Sequence, residues 1–345
     1  MKRILVVDDN ISILKQISAH LNDNYEVSLA KNGMLALEIC AKEKPDLILL
    51  DVEMPDMDGF DVISQLKQNP LFDRIPVIFL TANHDTETEI HALESGARDF
   101  IMKPAEKSIL LHRIELHIRF ASYQAQTEQD VMTLSDSIAT SFAEMIEFRD
   151  ENTGGHVVRT SQYVDLLGKE LIKEGLFSSE LDLGELQMMV RAAPLHDIGK
   201  IAISDRVLLK AGQLDDVEFS IMKRHSEIGG EILERMCQRM PAQRYLRYAC
   251  LIASSHHERY DGKGYPSGLA GNKIPLCGRI MAVADVYDAL IDNRVYRRGM
   301  GHHQATSIIF GNEGTQFDPA IINAFRNIQD EIINVANSLL EKESP

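Results

Sequence analysis

Histidine and aspartate residues in the second half of the sequence have the types and positions expected of transition-metal ligands. Seven side chains share this character: His156, His196, Asp197, His225, His256, His257 and Asp285. Neutral imidazoles combined with carboxylates suit iron, manganese, zinc or nickel ions rather than Mg²⁺ or Ca²⁺. Because one tetrahedral ion uses only four ligands, seven predict two ions that share a carboxylate. A lone histidine on an amphipathic helix is more often a core or surface residue, and we expect His302 and His303 to be of that kind.

A second set of polar residues follows short apolar runs in the first third of the sequence. Asp8 and Asp9 follow one run, Asp51 another, Thr81 a third, and Lys103 follows the run DFIM. Adjacent carboxylates repel one another unless a cation lies between them, and an all-oxygen ligand set favours Mg²⁺. With Mg²⁺ bound, Asp51 could attack a phosphoryl donor while Thr81 and Lys103 hold the phosphoryl oxygens. An aspartate after a strand is often only a helix N-cap, so the prediction depends on the ordered set.

Strands and helices in alternation would position this second set. Four apolar runs have the composition of strands buried on both faces: ILVV (4–7), VSLA (27–30), LILL (47–50) and VIFL (77–80). The segments between them repeat apolar residues every three or four positions, as helices do. With the run DFIM before Lys103 as the fifth strand, this alternation predicts right-handed crossovers and an α/β doubly wound parallel five-stranded sheet. Ligands of such folds bind at the carboxyl ends of the strands.

Helical periodicity alone continues from about Phe148 onward, which predicts an all-α domain around the histidines. Between the two regions, the stretch from Ala105 to Glu147 contains neither Pro nor Gly, so one long helix or two in series can form there. We therefore expect a domain over residues 1–120, a helical connector over 121–147 and a second domain over 148–345.

The connector carries apolar residues at alternating three- and four-residue steps. They are Val131, Leu134, Ile138 and Met145, with Ser141 in the same register and Phe142 beside it. About two heptads of this kind could pack on the following domain or form a dimerising coiled coil. The pattern does not distinguish the two, and a homodimer is the expectation carried forward.

The composition is that of an ordinary globular protein with an acidic balance. The 345 residues are 44% hydrophobic and 26% charged, with 36 Lys and Arg against 52 Asp and Glu for a net charge of −16. Nucleic acids and anionic membranes need a basic face, so we expect no DNA binding and no membrane insertion. The four cysteines are scattered and no signal peptide is recognisable. A cytoplasmic protein with reduced thiols is the expectation.

The first third of the sequence resembles the receiver domain of a two-component response regulator. The motifs that carry the resemblance are VVDDN, LLDVEMPDMDGF, FLTA and Lys103–Pro104. The resemblance implies phosphorylation at Asp51 by a cognate sensor histidine kinase. It also implies Mg²⁺ bound by Asp8, Asp9, Asp51 and the carbonyl of Glu53, with Thr81 and Phe100 as the switch positions that respond to the phosphoryl group.

The second half resembles an HD-GYP domain, a branch of the HD phosphohydrolase superfamily, over about residues 140–330. The resemblance rests on APLHDIGKIAI, HHERYDGKGYPSG and RIMAVADVYDAL. It implies a two-metal centre bridged by Asp197 that hydrolyses cyclic di-GMP to pGpG. It further implies that Lys200, Arg294 and Arg297 bind substrate phosphates and that Gly264–Tyr265–Pro266 shapes a loop near the pocket. Two metals suit this reaction because they bind phosphate oxygens and generate hydroxide from water.

One position departs from the family pattern. Some members carry a Glu four residues before the first metal histidine that helps bind a third ion, and Asn152 stands there in this sequence. We therefore expect two ions rather than three, with slow conversion of pGpG to GMP. Two alternatives stay open at this stage. The domain could be a catalytically weak cyclic di-GMP or pGpG receptor that signals through protein contacts, or a hydrolase of another cyclic dinucleotide.

Overall fold

The structure is a computed structural model that describes residues 1–82, 86–149, 155–292 and 299–340. The chain divides into two units, Met1–Met132 and Thr133–Pro345. No helix among the described residues combines the length and apolar character needed to span a bilayer.

A parallel five-stranded sheet forms the centre of the first unit. Its strands are β1 (Arg3–Val7), β2 (Glu26–Ala30), β3 (Leu47–Asp51), β4 (Val77–Thr81) and β5 (Asp99–Met102). They are arranged in the order β2-β1-β3-β4-β5, and every neighbouring pair is parallel. The connecting helices are α1 (Ile11–Leu21), α2 (Gly33–Glu43), α3 (Gly59–Gln68) and α4 (Thr86–Glu94). The predicted doubly wound sheet is confirmed.

Both faces of this sheet are covered, which explains why its strands are continuous apolar runs. Leu5 and Val7 pack with Val62 of α3 on one face. Ile4 packs with Leu14 of α1 on the other face. Because β1, β3 and β4 are adjacent and parallel, the residues that end them meet at one edge of the sheet.

A single helix, α5 (Lys107–Arg149), covers the stretch without Pro or Gly. Near its start, Leu110 and Ile114 are buried against the sheet of the first unit. Near its end, Ala143 and Ile146 are buried within the second unit. The apolar residues at three- and four-residue steps run from Val131 to Met145, and Met145 is exposed although it lies between the buried Ala143 and Ile146.

The described part of the second unit is helical, apart from two isolated β-bridges. Its helices are α6 (His156–Lys173), α7 (Leu183–Ala192), α8 (Asp205–Leu208), α9 (Asp216–Arg239), α10 (Arg244–Ser255), α11 (Leu276–Ile291), α12 (His302–Gly311), α13 (Pro319–Asn327) and α14 (Gln329–Leu340). Short 3₁₀ segments span Ala193–Leu195, Ile198–Ala202 and Gly271–Lys273. The predicted all-α domain is confirmed.

The core of this unit fixes the helices that carry the histidines. Tyr163 of α6, Leu246 of α10 and Ile280 of α11 belong to one buried cluster. The 3₁₀ segment Ile198–Ala202 packs on α9 through Gly199, where an added Cβ would lie 1.9 Å from the carbonyl oxygen of His225. Only glycine allows backbones to approach this closely.

Candidate metal centre and phosphorylation site

The predicted metal ligands come from five separate parts of the second unit. His156 is the first residue of α6, and His196 lies at the end of the 3₁₀ turn before Asp197. His225 lies within α9, His256 directly follows α10, and Asp285 lies within α11. The packing of the core therefore brings residues between positions 156 and 285, up to 129 positions apart in the sequence, to one site.

The structure brings these seven side chains together in two groups. Within each group, one ligand atom per residue lies within 4.8 Å of the others: Asp197, His225, His256 and His257 form one group, and His156, His196 and Asp285 form the other. Asp197 faces both groups. Its Oδ2 lies 3.4 Å from Nε2 of His196, and its Oδ1 lies 3.2 Å from Nε2 of His225. A carboxylate in this position can serve two ions at once.

Hydrogen bonds on the far side of the rings direct the Nε2 lone pairs of four histidines toward this centre. Each Nδ1 donates away from it: His156 to Oδ2 of Asp288 at 2.7 Å, His196 to the Ala193 carbonyl at 3.0 Å, His225 to the Met222 carbonyl at 2.7 Å, and His256 to the Ile252 carbonyl at 3.1 Å. The proton on Nδ1 is assigned from these acceptors. It leaves Nε2 as the ligand atom, as in most metal-binding histidines.

The resulting arrangement fits divalent cations. Nε2 of His156 lies 3.4 Å from Nε2 of His196, and Nε2 of His225 lies 3.4 Å from Nε2 of His256. Two lone pairs cannot bond to each other, but two nitrogens bound at about 2.1 Å to one tetrahedral ion are separated by roughly this distance. The buried Oδ1 of Asp197 also accepts no hydrogen bond from the described residues. Nitrogen donors combined with carboxylates favour transition metals.

Burial and nearby charges change the pKa values of two histidines of the centre in opposite directions. Burial opposes protonation of His196, but the carboxylates of Asp197 and Asp285 outweigh it and raise its pKa to about 9. Burial dominates at His225 and lowers its pKa to about 4. Burial also raises the pKa of the Glu147 carboxyl, while the neighbouring His156 and His196 oppose this rise.

A buried ion pair supports His156 from behind, and the sequence analysis missed it. Asp288 accepts from His156 through Oδ2 and from Nε of Arg159 at 2.7 Å through Oδ1. Arg159 and Asp288 are both fully buried, and Arg159 also pairs with Asp292 at 3.1 Å. Sequence spacing could have indicated these two residues. Asp288 lies three positions after Asp285, and Arg159 three positions after His156, so each lies on the same helix face as a predicted ligand.

Of the three residues predicted to bind substrate phosphates, the structure describes only Lys200. Nζ of Lys200 lies 2.9 Å from Oδ2 of Asp197, at the edge of the centre. Arg294 and Arg297 lie outside the described residues, as does Asn152. The predictions for these three positions therefore remain predictions.

The Gly264–Tyr265–Pro266 loop lies beside the group of predicted ligands that contains His225 and His257. The ring of Tyr265 lies 4.8 Å from that of His257. Gly264 passes so close to the preceding chain that an added Cβ would lie 2.3 Å from the amide nitrogen of Arg259. The buried carboxylate of Glu258 accepts hydrogen bonds from the backbone N–H groups that follow Pro266, at 2.7 and 3.0 Å. These contacts fix the loop beside the histidines.

A second site lies at the carboxyl edge of the sheet in the first unit. Oxygens of Asp8, Asp9 and Asp51 cluster there. Asp8 and Asp51 are buried, whereas Asp9 is exposed. Lys103 lies 2.7 Å from Asp8 and 2.7 Å from Asp51. Burial raises the pKa of Asp51, and the Lys103 ammonium opposes this rise. The three carboxylates carry more negative charge than the one ammonium balances. The site therefore suits a divalent cation with oxygen ligands.

The remaining predicted receiver residues lie on or directly after strands of the same sheet. Thr81 is buried at the end of β4, next to β3. Phe100 is half-buried on β5, and Glu53 is exposed two residues after Asp51. Asp8, Asp9, Asp51, Thr81 and Lys103 therefore lie at the carboxyl ends of their strands, whereas Phe100 is paired with Phe79 within the sheet.

Comparisons with known proteins divide the chain in the same order. A family model described as an HD domain matches residues 141–321. A model described as a response regulator receiver domain matches residues 4–115.

Proteins from several bacteria are similar to the chain over much of its length. A probable cyclic di-GMP phosphodiesterase of Vibrio cholerae is 38% identical over 99% of this chain and 81% of its own. The cyclic di-GMP phosphodiesterase response regulator RpfG of Xanthomonas campestris is 36% identical over 93% of this chain and 86% of its own. A 3'3'-cGAMP-specific phosphodiesterase of Vibrio cholerae is 38% identical over 61% of this chain and 38% of its own.

Proposed function

The chain belongs to the HD-domain family and carries a response regulator receiver domain. We propose that it is a phosphorylation-controlled cyclic di-GMP phosphodiesterase. The observation that carries the proposal is the position of Asp197, whose two carboxylate oxygens face two separate groups of histidines. This is the arrangement that a two-metal phosphodiesterase needs.

Two transition-metal ions of the iron, manganese, nickel or zinc class would share Asp197. His156, His196 and Asp285 would complete the ligands of one ion, and His225, His256 and His257 those of the other. When bound, such ions withdraw electron density from the phosphate oxygens and lower the pKa of a coordinated water. The Nδ1 hydrogen bonds of the histidines hold the rings in place, so little reorganisation is needed on metal binding.

The substrate would be held by cations and by the loop that covers the centre. Lys200 is half-buried and its ammonium lies beside Asp197, close enough to contact a phosphate oxygen at the centre. Arg294 and Arg297 are proposed to bind the outer phosphates of the same ligand. Tyr265, held by the Gly264 turn, lines the entrance over His257. Positive charge from a few side chains is required because the chain as a whole is acidic.

Control is proposed to begin at Asp51. A sensor histidine kinase would donate the phosphoryl group, and Mg²⁺ would be bound by Asp8, Asp9, Asp51 and the carbonyl of Glu53. Lys103 already pairs with Asp51, so it can contact the phosphoryl oxygens without a large movement. Phosphorylation adds close to two negative charges, and Thr81 and Phe100 are proposed to respond to them.

We also propose that the chain is a homodimer through the seam of α5, defined by Val131, Leu134, Ile138, Ser141 and Met145. The four apolar members of this seam are between 48% and 67% exposed. Apolar residues in this register on a long helix are typical of a two-stranded coiled coil.

The direct test of the proposed activity is hydrolysis of cyclic di-GMP by the full chain. Protein stripped of metal and the same protein reloaded anaerobically with Mn²⁺ would be incubated with cyclic di-GMP, and the products separated by chromatography. We expect pGpG from the reloaded protein and none from the stripped protein. Absence of product from protein shown to contain metal would contradict the proposal.

A second candidate substrate is another cyclic dinucleotide, because a similar protein is named as specific for 3'3'-cGAMP. The same centre would cleave either phosphodiester. Competition between equal concentrations of cyclic di-GMP and 3'3'-cGAMP distinguishes them, since the ratio of the two rates gives the ratio of the kcat/KM values.

A further inference from the structure

Arg149, the last residue of α5, is a charged side chain to which the site as described gives no role. Its guanidinium donates hydrogen bonds through all three nitrogens. Nη1 donates to the carbonyl oxygens of Lys200 at 3.2 Å and Ile201 at 3.1 Å, and Nη2 donates to that of Ile203 at 2.8 Å. Nε and Nη2 also donate to Oδ1 of Asp205, at 3.0 and 2.6 Å. One side chain therefore holds four positions between 200 and 205.

The segment held in this way contains the short 3₁₀ helix Ile198–Ala202, which directly follows Asp197. The last carbonyl groups of so short a helix find few partners within it. Donors from outside are therefore needed to fix its end, and Arg149 supplies them. A guanidinium suits this position because its donors have a fixed planar arrangement, whereas a lysine ammonium is a point charge on a flexible chain.

Lys200 is the residue of this 3₁₀ helix whose side chain reaches the metal centre. Its backbone N–H donates to the carbonyl of Asp197 at 2.9 Å, and its own carbonyl accepts from Arg149. Its ammonium lies 2.9 Å from Oδ2 of Asp197. A lysine side chain is long and flexible, so the place that its ammonium can reach depends on where its backbone is held. For Lys200, that backbone is held by the Asp197 turn on one side and by the end of α5 on the other.

We propose that Arg149 is a positioning residue for Lys200. By holding the carbonyls at the end of the 3₁₀ helix, it places the Lys200 ammonium where it can contact a substrate phosphate. The proposal rests on the proposed function, in which Lys200 binds that phosphate. A displacement of about 1 Å in such a contact can cost much of its effect on the rate. Because Arg149 ends α5, the position of Lys200 depends on the end of that helix.

Arg149 is expected to act on Lys200 and not on the metal ligands. All four of its acceptors lie at or after position 200, whereas Asp197 precedes the 3₁₀ helix. His196 and His225 are oriented by backbone carbonyls of their own surroundings, those of Ala193 and Met222. The metal content of the chain should therefore be independent of Arg149.

The test is a double-mutant cycle on the full chain, loaded with Mn²⁺ and assayed for hydrolysis of cyclic di-GMP. The four proteins are wild type, Arg149→Lys, Lys200→Ala and the double variant. We expect kcat/KM to fall roughly tenfold in Arg149→Lys and roughly tenfold to a hundredfold in Lys200→Ala. Since Arg149 acts through Lys200, the double variant should match Lys200→Ala to within about twofold. A merely structural role of Arg149 predicts instead that the two losses multiply.

Two further variants complete the experiment. Arg206→Lys is the matched control, because Arg206 is an exposed arginine directly after Asp205, and we expect it to keep the kcat/KM of wild type. Asp205→Asn weakens the hold of Arg149 without changing Arg149 itself. It should lower kcat/KM by about twofold to fivefold, and should have no effect when Lys200 is already Ala. The cycle with Asp205→Asn decides the question if Arg149→Lys does not fold.

Several results would overturn the proposal. They are losses that multiply in the double variant, wild-type kcat/KM in both Arg149→Lys and Asp205→Asn, and unchanged kcat/KM in Lys200→Ala. Loss of Mn²⁺ from folded Arg149→Lys would also overturn it, because Arg149 would then act on the metal ligands. Hydrolysis by metal-loaded wild type in the same experiment distinguishes each of these failures from a failure of the proposed function.

Discussion

At the scale of single residues, metal binding depends on which ring nitrogen of each histidine carries the proton. Three of the four Nδ1 acceptors are backbone carbonyls, which substitution cannot remove. The fourth is the Asp288 carboxylate behind His156. Asp288 is thus the position at which the orientation of a metal ligand can be changed without touching the ligand itself.

Asp288→Asn is expected to lower the Mn²⁺ affinity of the full chain by about 10- to 100-fold, since outer partners of metal histidines have effects of that size. Asp292→Asn is the matched control, because Asp292 pairs with the same Arg159. Isothermal titration with Mn²⁺ measures both variants. An equal loss of affinity in the two would show that disruption of Arg159, and not of His156, is responsible.

Asp197→Ala is expected to remove bound metal together with nearly all phosphodiesterase activity, because this carboxylate faces both groups of ligands. Lys200→Ala is expected to retain the metal and lose roughly tenfold to a hundredfold in kcat/KM, which corresponds to about 1.5–3 kcal/mol for a charge-assisted phosphate contact. Metal analysis and turnover by the same preparations check both. Comparable metal loss in the two variants would mean that their roles have been misassigned.

Sequence reasoning found the metal ligands more readily than the residues that support them. The five candidate histidines stand out by their type, and the pairs His196–Asp197 and His256–His257 by adjacency. Arg159, Asp288 and Glu147 have types common on helix surfaces, so their burial could not be inferred before the packing was known. Only the fold shows that Glu147 and His156 line the same cavity.

At the scale of elements, the strands were predictable because a strand buried on both faces is a continuous apolar run. LILL predicted β3 with one residue missing at its end, and that residue is Asp51 itself. The spacing of apolar residues could not decide whether the connector was one helix or two. That spacing shows which face of a helix is apolar, but not whether tertiary packing keeps the helix continuous. The structure has one helix there.

The double variant Leu134→Glu/Ile138→Glu is expected to convert the dimer to a monomer, because glutamates at adjacent seam positions would repel their counterparts. Thr133→Glu adds charge at an exposed position beside the seam and should leave the dimer intact. Sedimentation equilibrium of the full chain measures both. A monomeric wild type, or a double variant that remains dimeric, would contradict the proposed interface.

At the scale of the whole molecule, the chain joins a phosphoryl-accepting unit to a hydrolase unit, and the acidic net charge of −16 restricts its partners. We expect substrate binding to come from a few local cations, with Lys200 proposed as one of them, because the chain as a whole repels anions. The order of the two units was readable from sequence, since each has its own motifs. The effect of one unit on the activity of the other was not, because coupling is a free-energy difference between states.

The most direct test of the account is the rate of cyclic di-GMP hydrolysis by the metal-loaded full chain with and without beryllofluoride and Mg²⁺, compared with Asp51→Asn under the same conditions. Beryllofluoride stands in for the phosphoryl group on the aspartate. We predict hydrolysis to pGpG at a rate that beryllofluoride changes in wild type and leaves unchanged in Asp51→Asn. No hydrolysis under any condition, or an equal response of both proteins to beryllofluoride, would contradict the account.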